Sequence, residues 1–256
     1  MQLEGKRIVV TGGARGTGEA TVLAAVREGA QVFSLDILDD LGEKVAATAN
    51  AQGPGKVIYR HTDIIDRASV DAVFGEAVTT MGGLDGLAMI AGDEQQIPVG
   101  NLTDEDIDKG MRVHVKGTIF TNQAAFRTMK NTGGSIVNYS SVAGVEGYPG
   151  MPMYSAAKGA VLGFSRGVAR DWGQYAIRVN SVLPGVLSPL LEQTLSEMNA
   201  EQRAHIEAFW ASKVLLGGKL AAPAVAADLN VFLLGDGSRF ITGQTIAVDG
   251  GIVFTR

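Results

Sequence analysis

The sequence predicts an α/β protein built as a doubly wound parallel sheet with helices on both faces. Three observations lead there. Short β-branched runs alternate with longer amphipathic segments along the 256 residues, which is the rhythm of repeated strand–helix–strand units. The central apolar runs end in small or turn-forming residues, as strands buried on both faces do. The 34 glycines and a hydrophobic fraction of 46% suit a packed core with many tight strand-to-helix turns and argue against disorder. No Ser/Pro linker and no internal repeat divides the chain, so residues 1–256 are expected to form one domain.

Taken in order, "RIVVTG" reads as the first strand and 17–29 as the first helix. "AQVFSLD" reads as the second strand, followed by a helical stretch from Asp39 and a third strand at "KVIYRHTD". "LDGLAMIAG", "GSIVNYSS" and "IRVNSVLPG" read as central strands. Helices are expected near 104–128, 154–172 and 222–235, each after a start signal or a small-residue loop. Right-handed crossovers then wind the sheet doubly. The segment 188–213 is rich in Leu, Glu, Gln and Ala and breaks the rhythm between the sixth strand and the last helix. It reads as a helical insertion that closes over a substrate.

Composition removes several classes of function. With 27 acidic and 22 basic residues the net charge is −5, which offers no electrostatic footprint for nucleic acid. The chain has no cysteine, so disulfides and thiolate metal sites are excluded. The opening "MQLEGKRIVV" carries no long apolar run of a signal or membrane segment, and a cytoplasmic protein without a membrane partner is expected. The three histidines, His61, His114 and His205, show no i, i+4 pairing of the helical zinc type, so no metal is expected.

Chemistry enters at two places. "TGGARGTG" follows the first strand and opens the first helix. Gly12 allows the tight turn, Gly16 lets the backbone approach a pyrophosphate, and Gly18 allows close helix–strand packing at the positive end of the helix. Asp36 ends the second strand roughly 20 residues on, where an acid grips the adenosine ribose hydroxyls. A carboxylate there repels a 2′-phosphate, so NAD is expected over NADP, although Arg15 beside the loop is a guanidinium able to pair with such a phosphate.

The second place is "YSAAK", in which Tyr154 and Lys158 stand at i and i+4 on one helix face, with Ser141 upstream at the end of "GSIVNYSS". Free phenol, with a pKa of about 10, is a poor base at neutral pH. A nearby ammonium and an oxidised nicotinamide both favour phenolate and would make the pair a usable general acid/base. The Ser141 hydroxyl is placed to hydrogen-bond the substrate oxygen.

The ordered set "TGGARGTG", Asp36, "TDI" at 62–64, "AG" at 91–92, Ser141, "YSAAK", "NSVLPG" and "FITGQTIAVDGG" resembles the short-chain dehydrogenase/reductase family along nearly the whole chain. The resemblance implies a seven-stranded Rossmann-like sheet, a nicotinamide cofactor, and interconversion of an alcohol and a carbonyl. It implies that the cofactor meets Gly12, Arg15, Gly16, Thr17, Gly18, Asp36, Ile37, Asp63, Ile64, Ala91, Gly92, Tyr154, Lys158, Pro184, Gly185, Val186 and Ser188. Asp63 would border the adenine, Lys158 would also hold the nicotinamide ribose, and 184–186 would contact the nicotinamide. A homotetramer or homodimer is implied as well.

The chain departs from the family pattern in three places. Met89 and Ile90 stand where the family has asparagines, so their side-chain hydrogen bonds to the strand are lost. Ser188, two residues after "PGV", stands near the place of a threonine that touches the carboxamide. His114 replaces an asparagine that completes a tetrad with the Ser, Tyr and Lys and holds a water near the lysine. A neutral imidazole has one donor and one acceptor, so it is able to keep that relay and add pH sensitivity.

The loop 141–153 and the segment 187–214 are expected to wall the substrate pocket, offering Val145, Tyr148, Met151, Met153, Leu190, Leu191, Leu195, Met198, Phe209 and Trp210. Such walls suit a small hydrophobic secondary alcohol or ketone. Two alternatives stand beside that reading: a 3-oxoacyl carrier-protein reductase, which would want NADPH and a basic docking patch, and a catalytically silent dinucleotide-binding sensor or assembly protein.

Overall fold

Alternation within β1 (Arg7–Thr11) sorts the two faces of the sheet: Ile8 and Val10 enter one buried cluster and Val9 enters the other, as the two-residue period of a strand requires. The computed structural model describes residues 1–94 and 96–255. Seven strands, β1, β2 (Gln31–Asp36), β3 (Lys56–His61), β4 (Gly86–Met89), β5 (Gly134–Tyr139), β6 (Ile177–Pro184) and β7 (Thr245–Val248), form a sheet in the order β3-β2-β1-β4-β5-β6-β7. Every pairing is parallel. This is the doubly wound architecture expected, with its switch point between β1 and β4, where a crevice opens at the carboxyl ends of the strands.

One face is covered by α1 (Gly16–Arg27), α2 (Asp39–Gln52) and α10 (Pro223–Leu234), through Val22, Ala25, Val45, Ala49, Val231 and Leu234. The other is covered by α3 (Arg67–Met81), α5 (Gly117–Met129) and α7 (Pro152–Trp172), through Val70, Phe74, Ala125, Met129 and Ala169. Prolines at the first turn of α7 and α10 set their starts without sacrificing a needed donor. Helix α3 has no counterpart in the sequence reading. Gly75 and the Thr79–Thr80 pair weaken its pattern, and its ends are fixed by Asp66, whose side chain accepts from the Ala68 N–H, and by left-handed Gly82.

The single helix expected over 104–128 is observed with a change of winding. Helix α4 (Asp104–Gly110) passes into a π-wound segment, Met111–Lys116, and then into α5. The Thr118 hydroxyl donates to the His114 carbonyl at 2.7 Å inside this region. Single π turns inside α-helices recur at functional sites. A buried polar network then keys α5 to the sheet and to α7: Asn122 and Asn138 exchange amide hydrogen bonds of 2.8 and 3.1 Å, and Asn138 also donates to Ser165 at 3.0 Å.

The segment 188–213 is helical, as expected, and forms two helices, α8 (Pro189–Glu197) and α9 (Ala200–Lys213). Ser188 caps α8 by accepting from the Leu191 N–H at 3.2 Å, and Asn199 caps α9 in a capping box with Gln202. Leu191, Leu195, Met198 and Trp210 are half-buried. The side chain of Leu190, expected among the pocket's apolar groups, lies outside the described residues.

Candidate active site

The glycines of the first turn are required by close approach. Gly12 has φ +71° and a Cβ there would stand 2.8 Å from Ala91 Cα; a Cβ at Gly18 would overlap the Gly12 carbonyl at 1.8 Å. Gly16 has φ +58°, and a Cβ would meet Pro189, the first residue of α8, at 2.9 Å. The loop is therefore a cradle of bare backbone at the N-terminus of α1, the geometry that receives a phosphate. Arg15 precedes that helix in extended conformation and is exposed. The Thr17 carbonyl accepts from the Thr21 hydroxyl at 2.7 Å.

Asp36 is turned onto this loop. One carboxylate oxygen accepts from the Ala14 N–H at 3.0 Å, and the other from the N–H groups of Ile37 and Leu38 at 2.7 and 3.1 Å. The Ile37 side chain is exposed. After β3, Asp63 accepts from the Ile65 N–H at 3.0 Å, while Ile64 is buried beneath α5, close enough that a Cβ on Gly117 would meet it at 2.6 Å. At the end of β4 the backbone is held from β1. The Thr11 hydroxyl accepts from the Ile90 and Ala91 N–H groups at 3.1 and 3.2 Å. Ala91 and Gly92 thus follow a strand end clamped by its neighbour.

Ser141, Tyr154 and Lys158 meet at the carboxyl end of β5. Close crossing of α6 (Ala143–Glu146) and α7 makes this possible, because a Cβ on Gly144 would lie 2.7 Å from the Lys158 backbone. The Ser140 hydroxyl, donating to the Lys158 carbonyl at 2.8 Å, fastens the crossing. Lys158 is buried; its ammonium donates to the Tyr139 carbonyl at 3.0 Å and lies 5.6 Å from the centre of the Tyr154 ring. Burial lowers its pKa to about 8, against the opposing pull of Asp93 and Glu94.

The sequence reading expects a lowered phenol pKa, and the protein by itself raises it. Burial pushes Tyr154 up, the carboxylates of Glu94 and Asp93 push the same way, and only the hydrogen bond with Ser141 opposes them. Two carboxylates that no motif marks are therefore part of the site. Glu94 keeps contact with solvent, yet the atoms crowded around it raise its carboxyl above the ordinary range, against the pull of Lys158. Asp93 is held low, at about 2, chiefly by His114 and also by Lys109, despite partial burial. The signal for both was positional: they follow β4 at the switch point of the sheet, where crevice residues gather.

His114, in the π-wound segment, is buried, with its ring edge-on to Tyr154 at 5.3 Å between centres. Burial and the Lys158 charge lower its pKa, and Asp93 opposes them. On the far side, a Cβ on Gly185 would meet Asp249 at 2.5 Å, and Val186 bridges to Ala221, which fixes the path of 184–186 beyond β6. Above the site, the Tyr148 and Phe209 rings meet edge-to-face at 6.5 Å, joining the 147–151 loop to α9. Val145 and Glu146 are exposed. Among the described residues there is no cluster of metal-binding side chains and no helix long and apolar enough to cross a membrane.

Known proteins are similar to this chain in sequence and fold. A family model described as Enoyl-(Acyl carrier protein) reductase matches residues 12–253. The chain is 37% identical over 253 residues to a 2,5-dichloro-2,5-cyclohexadiene-1,4-diol dehydrogenase of Sphingobium indicum, with 97% of each chain covered. It is 34% identical over 254 residues to a 3-oxoacyl-(acyl-carrier-protein) reductase of Thermotoga maritima, covering 99% of this chain and 100% of that one. Among solved structures, levodione reductase is similar at a TM-score of 0.90 with 27% identity, over 97% of each chain.

Proposed function

This chain belongs to the short-chain dehydrogenase/reductase family, and from its site we propose that it uses NAD to interconvert hydrophobic secondary alcohols and ketones. The observation that carries the proposal is the convergence of Ser141 and Tyr154 with the buried Lys158 ammonium, which lies 5.6 Å from the centre of the phenol ring. A binding module has no need of a positioned phenol. The cradle at Gly12, Gly16 and Gly18 fits a pyrophosphate, and the Asp36 carboxylate beside it fits an unphosphorylated ribose.

When bound, the nicotinamide supplies the hydride acceptor in oxidation, and its positive oxidised ring favours phenolate. The chain's own residues do the rest. Tyr154 takes the hydroxyl proton, Ser141 orients the substrate oxygen, and Lys158 steadies the phenolate by its charge. Helices α8 and α9 act as a lid whose half-buried apolar residues exclude water from the reacting atoms. The similarity to an alicyclic diol dehydrogenase supports a cyclic alcohol as substrate. Assembly into two or four copies belongs to the same reading through the family.

Nicotinamide absorbance, followed with NAD or NADP and a panel of cyclic and aryl secondary alcohols, tests the proposal. Tyr154→Phe is expected to lower turnover by at least about 100-fold, the scale of general acid–base catalysis, with cofactor binding largely intact. Full activity in that variant would refute the mechanism. The similarity to a 3-oxoacyl reductase makes a 3-oxoacyl thioester with NADPH the comparison substrate, and faster turnover of it would replace the alcohol reading.

A further inference from the structure

His114 is 2% exposed and held from three sides. Gly92 lies against it, so that a Cβ there would stand 2.9 Å from Cε1 and 3.1 Å from Nδ1. Tyr154 meets it edge-on. Asp93 brings Oδ1 to 3.2 Å from Nε2. Both ring nitrogens and this oxygen are buried, and none of the three makes a hydrogen bond of good geometry, so the 3.2 Å contact is the approach nearest to satisfying Nε2 and Oδ1 together. The second Asp93 oxygen meets Lys109 at 3.2 Å, on the more exposed side of the loop.

A neutral imidazole carries one proton and a carboxylate only accepts. The pair is satisfied when the proton sits on Nε2. The Nδ1 lone pair then lies on the side of Gly92, where the same Cβ position is 3.6 Å from the Lys158 ammonium nitrogen. We propose that Asp93 is a positioning residue: it holds His114 as the Nε2–H tautomer and leaves Nδ1 as a buried acceptor turned toward Lys158. Through one water, Nδ1 receives a hydrogen bond from the ammonium, which has donors to spare beyond the one spent on Tyr139. Lys158 is thereby held from two sides near the phenol. The catalytic meaning of the dyad rests on the dehydrogenase reading, whereas its existence does not.

The charged and titratable groups facing the imidazole are Asp93, with Lys109 behind it, and Lys158 and Tyr154 from α7; Glu94 acts on the latter two. Removing the Asp93 charge withdraws the attraction that favours an imidazolium and lowers the His114 protonation midpoint further. Long-range proton–nitrogen NMR of protein labelled with 15N-histidine reads tautomer and midpoint together, with the His114 signals assigned by their absence in His114→Asn. The wild type is expected to show Nε2–H. Asp93→Asn is expected to show mixed tautomers and a midpoint lower by about one pH unit. Its kcat is expected to fall about tenfold, but less than about twofold when His114 is already Asn, because the two residues act as one unit.

An Nδ1–H tautomer in the wild type, an unchanged tautomer and midpoint in Asp93→Asn, or equal kcat losses in both backgrounds would overturn the proposal. A wild type that turns over no alcohol would sink the dehydrogenase reading instead, and the NMR result would still decide the dyad.

Discussion

Replacing Asp36 by Asn separates what its carboxylate does for the loop from what it does for cofactor choice. The carboxylate accepts from Ala14 on one oxygen and from Ile37 and Leu38 on the other. An asparagine must present its NH2 group to one of these sides, and the cheaper orientation loses the Ala14 bond. Losing a charged hydrogen bond at a half-buried site costs about 2 kcal/mol, or a fall in melting temperature of about 4–8 °C for a chain of this size. That loss weakens NADH and NADPH alike and cancels in their ratio.

The ratio moves for electrostatic reasons. An amide in place of the carboxylate loses about 1.5 kcal/mol toward the ribose hydroxyls, roughly tenfold in NADH affinity. A negative charge roughly 5 Å from a 2′-phosphate costs about 1–3 kcal/mol between water-like and surface dielectric values, and the variant is relieved of it. The NADPH-to-NADH ratio of dissociation constants should therefore fall by about 30-fold or more. Fluorescence titration of both reduced cofactors at fixed ionic strength measures it. A ratio that moves less than about threefold while the melting temperature drops would show that the carboxylate serves only the loop.

Other perturbations give equally direct readings. Lys158 is held near pH 8 against its ordinary 10.5, so between those values the unfolded chain binds a proton that the folded chain does not. Stability should then rise with pH by about 3 kcal/mol across that window, and Lys158→Met should lack the rise; parallel urea profiles would contradict this. Asn138→Ala strips partners from Asn122 and Ser165 and should cost about 2–4 kcal/mol, read from the urea midpoint. Thr11→Val leaves the Ile90 and Ala91 N–H groups without their acceptor and should cost about 1–3 kcal/mol, together with a several-fold loss of NADH affinity.

The sheet, the glycine turn and the Ser–Tyr–Lys set were legible because each is a local pattern: a two-residue alternation in β1, a glycine wherever backbone meets backbone, an i, i+4 pair on α7. What escaped was created by the tertiary fold. Nothing in "GDEQQ" relates Asp93 to His114, since the contact exists only because α4 folds back over the end of β4. The raised phenol follows from burial and from two carboxylates that arrive on a separate loop. The hold of Thr11 on the Ile90 and Ala91 N–H groups depends on β1 and β4 being neighbours. Helix α3 escaped for the opposite reason: its local pattern is weak, and packing of Val70, Val73, Phe74 and Ala77 against the sheet decides it.

The π-wound turn between Gly110 and Gly117 can be understood as a phase offset. A regular α-helix advances about 100° per residue, and a segment that takes in an extra residue turns everything before it by that angle relative to everything after. Helix α5 is locked to the sheet by Asn122, while α4 is locked to the β4 loop through Lys109 and Asp93. Deleting one residue from 111–116 would rewind the helix and roll α4 by about a quarter turn or slightly more, carrying Lys109 away from Asp93 while α5 stayed where it is. His114 thus sits at the joint between two rods whose relative rotation is set by the count of residues between them, so a single insertion or deletion there should do more harm than most substitutions.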